Sequence, residues 1–384
     1  ERLGPDHPET LRIAANLAGI LEIQGDIPGA ADLQKATYEA HCRIFGPEHP
    51  ETLVMASYLA GMLQTKGDLA GAVALQRETL ERMRAQNPEA PQTLQTAVGL
   101  AEMLQASGEA EQATQLLREA YEAQRRLLGL EHSSTSMTAR KLAEVLRSQN
   151  DAAAAVALLR EALEARRRSL GPEHPHALNV AMNLAGALQD VGEVEEALRL
   201  QRETLEVQER VLGPENPNTL ATAAVLAEMI QAHGDLPEAI ALLRRSVEGQ
   251  RRVLGAEHPV TLNMVTGLAR MLRSQGDHAQ AVGMLESCLE AETRTLGPEH
   301  PSTLSTALDL AATRHMQGEV KVAKRLLWTT LEVQRRTLGL EHPHTLTTQR
   351  LHRCVVASER MDIVFTARGH RKFMELRRNP CMTG

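Results

Sequence analysis

Seven histidines, His7, His49, His132, His174, His258, His300 and His342, are the residues of this chain best suited to metal or acid–base chemistry. They recur about 42 residues apart or at twice that distance. A zinc site draws three or four ligands into one coordination sphere, whereas residues spaced this way belong to successive copies of one unit. The closer pairs His174/His176 and His342/His344 have no carboxylate or thiolate at ligand spacing. These histidines are therefore expected to cap or pack helices, and no metal is expected. The chain also contains no phosphate-cradling glycine loop, no H-E-x-x-H and no G-x-S-x-G. Its titratable residues repeat along the chain instead of gathering at one place, so no catalytic residues and no cofactor are expected.

Two arginine pairs, Arg140 with Arg147 and Arg270 with Arg273, offer a different chemistry. Guanidinium groups spaced along one helix face can clamp the carboxylates of an acidic peptide through bidentate hydrogen bonds. Gln105, Gln189 and Gln231 stand at places equivalent to Arg147 and Arg273, and the seven residues together form the candidate partner-binding groove. The competing reading is that these arginines are solvated and paired within their own helices. A second charged series runs through the chain. Glu39, Glu122, Glu164, Glu206, Glu248, Glu290 and Glu332 each precede Arg43, Arg126, Arg168, Arg210, Arg252, Arg294 and Arg336 by four residues. Only Ala85, after Glu81, breaks it. Glutamate ahead of arginine at this spacing supports a helix by ~0.3–0.5 kcal/mol per pair, so the series is expected to hold a long helix soluble and in register.

The elements that carry these residues follow from the repeat itself. Ala30, Ala72, Ala113, Ala155, Ala197, Ala239, Ala281 and Ala323 recur at 42 residues, once at 41. Thirteen residues before each stands a leucine, from Leu17 to Leu310, followed by an alanine; both series read as core. Five before each stands a glycine, or Asn150, suited to the left-handed backbone that ends a helix. Seven after each stands a small residue, from Thr37 to Thr330, where helices must approach closely. Between Thr10 and Gly25 the apolar residues fall on one face of a helix, here helix A, and a longer helix B runs from Ile27 to Phe45. The connector Leu-Gly-Pro-Glu-His-Pro, complete at 170–175 and 296–301, supplies a terminating glycine and a proline for the next first turn. The third copy departs, with Gln86-Asn87-Pro88-Glu89-Ala90-Pro91 one residue short, and its stacking angle is expected to differ.

A unit of helix, tight turn, helix and elbow resembles the tetratricopeptide repeat, its ~34-residue unit lengthened here by about two turns. Leu-Gly-Pro-Glu-His-Pro-x-Thr-Leu followed by Asn-Leu-Ala is similar to the kinesin light chain and nephrocystin type. The resemblance implies an all-α, right-handed α-solenoid of eight 42-residue hairpins over 1–344, with a degenerate ninth hairpin and basic tail over 345–384. It also implies a non-catalytic scaffold that binds protein or peptide partners along a concave groove lined by helix A, in the manner of a cargo adaptor. An alternative is the ligand-sensing or autoinhibitory arm of a larger nucleotide-switch signalling protein. Kinesin light chains carry tandem asparagines before the Leu-Ala pair, where cargo peptides are gripped. Here those places hold Ala15-Asn16, Ser57-Tyr58, Val98-Gly99, Arg140-Lys141, Met182-Asn183, Ala224-Val225, Thr266-Gly267 and Leu308-Asp309, so that grip does not carry over. Nor does a heptad coiled coil lie within the chain, so coupling to a motor is unsupported.

Composition agrees with thin layers of helices: three Phe, three Tyr and one Trp among 384 residues leave a core of Leu, Ala, Val and Met. Net charge is −7, and because eight Lys or Arg outnumber three Asp or Glu from Arg350 onward, the excess of acid lies in the repeats. An acidic body does not suit nucleic acid. Four cysteines without CxxC spacing, no long apolar run and no leader lead to the expectation of a cytoplasmic protein with no membrane span, cut from a longer parent with other domains.

Overall fold

The computed structural model describes residue 4 and residues 6–368, with side chains through 358. Among them are seventeen α-helices and no strand. Unit 1 (Glu1–Leu200) contains α1 (Pro8–Ile23), α2 (Ile27–Phe45), α3 (Pro50–Lys66), α4 (Leu69–Gln86), α5 (Pro91–Ala106), α6 (Ala110–Leu128), α7 (Ser133–Ser148), α8 (Ala152–Leu170) and α9 (Pro175–Asp190). Unit 2 (Gln201–Gly384) contains α11 (Pro217–His233), α12 (Leu236–Leu254), α13 (Pro259–Gln275), α14 (His278–Thr295), α15 (Pro301–Met316), α16 (Val320–Thr337) and α17 (Pro343–Arg368). Residues of α10 (Val194–Val211) belong to both. Within each unit every helix packs against the next in sequence, and helices A of consecutive hairpins also touch, as α3 with α5, α7 with α9 and α13 with α15. Where a degenerate ninth hairpin was expected over 345–384, the described residues form the single uninterrupted helix α17, and residues 369–384 lie outside the described residues.

Each boundary has a local cause. The A-to-B turn needs a left-handed residue: Gly25, Gly67, Gly108, Gly192, Gly234, Gly276 and Gly318 have φ between 85 and 104°, and Asn150 has φ 62°. The elbow glycines are left-handed too, except that Asn87 in the irregular third elbow is extended at φ −154°. There Gln86 Nε2 donates to the Glu48 carbonyl at 2.5 Å, and Thr93 Oγ1 donates to the Asn87 carbonyl at 2.8 Å.

The elbow histidines are N-caps. The Nδ1 atoms of His7, His49, His132, His174, His258, His300 and His342 accept from the N–H two residues on, at 3.1–3.3 Å. In the sixth copy Asn216 Oδ1 does the same for the Asn218 N–H at 2.9 Å. Since asparagine already serves natively, His258→Asn should keep most of the stability. His258→Ala should lose about 1 kcal/mol of it. Equal urea midpoints for the alanine variant and the parent chain would show that the contact is idle.

The core is the small-residue columns. All eight anchor alanines are 0% exposed. The small column seven residues later is buried throughout, with the hydroxyls of Thr37, Thr79, Ser246 and Thr330 turned back to carbonyls of their own helix. The leucine column is buried from Leu59 to Leu310, but Leu17, expected in the core, is 46% exposed. No helix covers it among the described residues of unit 1.

One core position is ionisable. Glu292 is 4% exposed, and one of its carboxylate oxygens has no hydrogen-bond partner. Burial holds its carboxyl above the usual carboxylate range, against a hydrogen bond with Thr306 and the nearby His300. A raised folded-state pKa means that folding favours the protonated form. Stability is then greatest below the ordinary carboxylate pKa and falls as pH rises through the folded-state value. Gln124, Gln208, Gln250 and Gln334 occupy this place in other copies. Glu292→Gln is therefore expected to stabilise the chain by about 1 kcal/mol at neutral pH and by little in acid. Denaturant midpoints at both ends of that range check it, and a gain that persists in acid would contradict the ionisation argument.

Candidate partner-binding face

The helix B side is closed by charge pairs between neighbouring elements. Arg43 reaches Asp6 at 3.3 Å and Arg252 reaches Glu215 at 2.8 Å. Arg126, Arg294 and Arg336 likewise hold Glu89, Glu257 and Glu299. The arginine series was expected to pair four residues back along its own helix, yet these five members clip the elbow acid at the start of their own hairpins. The end of helix B returns beside that elbow, so a carboxylate 37 residues away in sequence is the nearer one. Two further ladders join consecutive helices B. Arg160 bonds Glu193 and Glu196 at 2.8 Å, and Arg202 bonds Glu238 at 2.9 Å. Arg84 and Arg125 reach Glu119 and Glu161 at 2.9 and 2.8 Å; in the equivalent pair Glu209–Arg245 the charges are exchanged.

The helix A side is open. In unit 1, α1, α3 and α5, together with residues of α2 and α4 such as His41, Phe45 and Met83, bound a groove of about 1220 Å³. Its walls include Arg12, Ile23, Val54, Tyr58 and Gln92, with Ile23 89% and Tyr58 60% exposed. Large apolar side chains beside guanidinium and amide groups on one concave surface are what a bound peptide needs: desolvated anchors with polar fixing points.

The arginines singled out from sequence lie on this helix A side, but most are already engaged across hairpins. Arg147 Nε on α7 bonds Asp190 Oδ2 on α9 at 2.5 Å, and its guanidinium lies against Gly186, where an added Cβ would stand 3.0 Å from Nη1. Arg270 Nε and Arg273 Nη1 on α13 converge on Asp309 of α15, at 2.7 and 3.1 Å. The pairing within a single helix that the sequence allowed is thus replaced by pairing with the next helix A. Arg140 is half-buried and forms no ion pair among the described residues, whereas the adjacent Lys141 pairs with Glu102. Burial lowers the pKa of Lys141. Gln105 and Gln189 in unit 1, and Gln231 in unit 2, are half-buried and stay on separate helices.

Asp309, Tyr58 and Ile23 were missed as site residues. A signal existed for Asp309. Lys141 and Asp309 share one column, and each pairs 39 residues back with an opposite charge, Glu102 and Arg270 respectively. No group of three or more His, Cys, Asp or Glu that could hold a metal occurs among the described residues. Nor is any described helix long and apolar enough to cross a membrane.

Tetratricopeptide repeat models match residues 10–51 and 52–85. A second model of the same description matches 92–168, 134–185, 176–252, 221–291 and 261–327. No curated protein matches the sequence. Among solved structures, a kinesin light chain-like protein of nearly identical TPR-like repeats from Podosopora anserina is 32% identical with a TM-score of 0.50; the match covers 54% of this chain and 98% of that one. BtubC (BKLC) from P. vanneervenii is 18% identical at a TM-score of 0.53, covering 61% of this chain and 94% of its own. A STAND signal-transduction ATPase with a tetratricopeptide repeat sensor, from Pyrococcus horikoshii, is 10% identical at 0.56 and covers 85% of this chain and 50% of that protein. The last two likenesses show the fold alone.

Proposed function

Since the chain belongs to the tetratricopeptide repeat family, in its kinesin light chain-like form, we propose that it is a non-catalytic scaffold that binds peptide segments of partner proteins along its helix A faces, as an adaptor does. The observation that carries this reading is the open groove of unit 1, set against the paired charges of the helix B side. On the helix B side, charges meet charges from one helix to the next, so a ligand there would have to displace existing pairs. On the helix A side of unit 1, a groove of about 1220 Å³ keeps Ile23 and Tyr58 largely exposed. The groove recognises apolar anchors first, because its walls carry large hydrophobic side chains and few free charges. Acidic ligands are favoured near Arg140 and, more weakly, at Arg270 and Arg273, which Asp309 already engages, and a cytoplasmic setting accords with such work. The reading as a sensing arm of a nucleotide switch has only a fold likeness behind it.

Selection of a displayed random-peptide library on the intact chain tests the proposal. Enriched peptides should carry aromatic or aliphatic anchors and bind at least tenfold more weakly to the Tyr58→Ala variant, whose helical content and melting should be unaltered because Tyr58 is exposed. No enrichment, or enriched peptides indifferent to Tyr58, would refute the groove.

A further inference from the structure

On the helix B side of unit 2, the ladder between consecutive helices loses one partner. Arg84, Arg125 and Arg251 each stand twelve residues after an anchor alanine, and the residue that meets that place from the next helix B stands six after its own alanine. It is Glu119 for Arg84 and Glu161 for Arg125, bonded at 2.9 and 2.8 Å. For Arg251 it is Ser287, whose hydroxyl turns back to the Gly283 carbonyl at 3.0 Å. Arg251 is exposed and forms no ion pair among the described residues. In the pair Glu209–Arg245 both charges are exchanged and the bond survives. At Arg251 only one side has changed.

The gap is a cavity. Arg251, Glu257 of the elbow, Leu262 and Val265 of α13, and Gly283 and Ser287 of α14 bound a volume of about 620 Å³. Its buried lining, Leu262, Val265, Cys288 and Ala291, is apolar. A Cβ on Gly283 would meet nothing within 4 Å, so the packing of α14 does not require glycine there, and the missing side chain leaves space. Burial pushes the Cys288 thiol up to about 11 although the Arg251 charge pulls the other way, so the lining stays uncharged beside that guanidinium. Arg294 is bonded to Glu257, which leaves Arg251 as the cation of this wall with no acid bound to it. A free guanidinium beside a ready-made apolar space suits a carboxylate that arrives with aliphatic carbon around it. Glu290 lies in the same wall and disfavours a run of acids.

We propose that the seam between α12 and α14 is a second docking site, where a partner protein inserts one acidic side chain flanked by aliphatic residues. The partner thereby supplies to Arg251 the carboxylate that Glu119 and Glu161 supply within the chain. No ion pair has to be displaced here. The site is built on helices B and does not rest on the groove reading.

Selection of a displayed random-peptide library on the intact chain, with counter-selection on the Ser287→Glu variant, is the test. Ser287→Glu places a carboxylate where Glu119 and Glu161 stand and so occupies both Arg251 and the space; because Ser287 is exposed, the variant should melt no lower than the parent. Peptides that use the groove bind both chains alike and are removed. Those that remain should carry a single Glu or Asp beside Leu, Ile or Val and bind Ser287→Glu at least tenfold more weakly. Reselection on the Arg251→Glu variant should exchange the acid for Lys or Arg, as Glu209 is matched by Arg245. No enrichment, enriched peptides without an acid, or an acid that persists on Arg251→Glu overturns the proposal. So does a concentration-dependent dimer in sedimentation that Ser287→Glu dissolves, since the occupant would then be a second copy of the chain.

Discussion

Ala197→Leu is expected to destabilise the chain by roughly 1–3 kcal/mol, the usual cost of forcing three extra carbons into a packed layer. The residue is 0% exposed and belongs to a column in which all eight members are 0% exposed. At such a place the methyl group fills the space between helices, and a leucine has no direction in which to grow. The small column seven residues later, from Thr37 to Thr330, is buried on the same helices, so the neighbours have no slack to offer. The control is Ala232→Leu, on an exposed part of α11, where the added side chain meets solvent and stability should change by less than about 0.5 kcal/mol. Urea midpoints of the two variants decide it. Equal midpoints would mean that the alanine column does not mark a helix crossing, and the packing argument for the hairpin would fail with it.

Backbone and core were legible because both depend on residues that few others can replace. A left-handed turn residue admits glycine or asparagine, and the single non-glycine with positive φ among the described residues is Asn150, at the predicted turn. A methyl-sized crossing admits Ala, Ser, Thr or Cys, and those eight positions are all buried. The histidines were legible as caps because one residue per 42 cannot build a coordination sphere. Charge pairing was not legible in the same way. A spacing of four residues suggests a partner along the helix, whereas the fold brings the elbow acids Glu257 and Glu299 beside Arg294 and Arg336. Long arginine side chains choose among several carboxylates, and only the tertiary arrangement says which is nearest. The exposure of Leu17 escaped for another reason: a leucine column identifies the inward side of a helix, but whether a neighbour covers that side depends on an element outside the helix.

Asp309→Ala is expected to convert a charge-paired cluster into a stronger binding site for acidic peptides. In the parent chain the Asp309 carboxylate is 14% exposed and holds both Arg270 and Arg273, so an incoming carboxylate finds one net positive charge and few free guanidinium donors. Removing Asp309 frees two cations on adjacent turns of α13, spaced to grip a carboxylate from both sides. Affinity for an acidic peptide should rise about tenfold, equivalent to ~1.4 kcal/mol, and the gain should shrink as salt is raised, because the freed groups are partly solvated. The same substitution should cost the fold about 1–2 kcal/mol, since the half-buried Arg273 loses its counter-charge. The opposite variant, Arg270→Ala with Arg273→Ala, should lower acidic-peptide affinity below that of the parent. Fluorescence anisotropy with one acidic peptide and its amidated counterpart separates the outcomes. If neither variant moves the acidic peptide, the arginines of α13 serve only to join α13 to α15, and recognition rests with the apolar groove of unit 1.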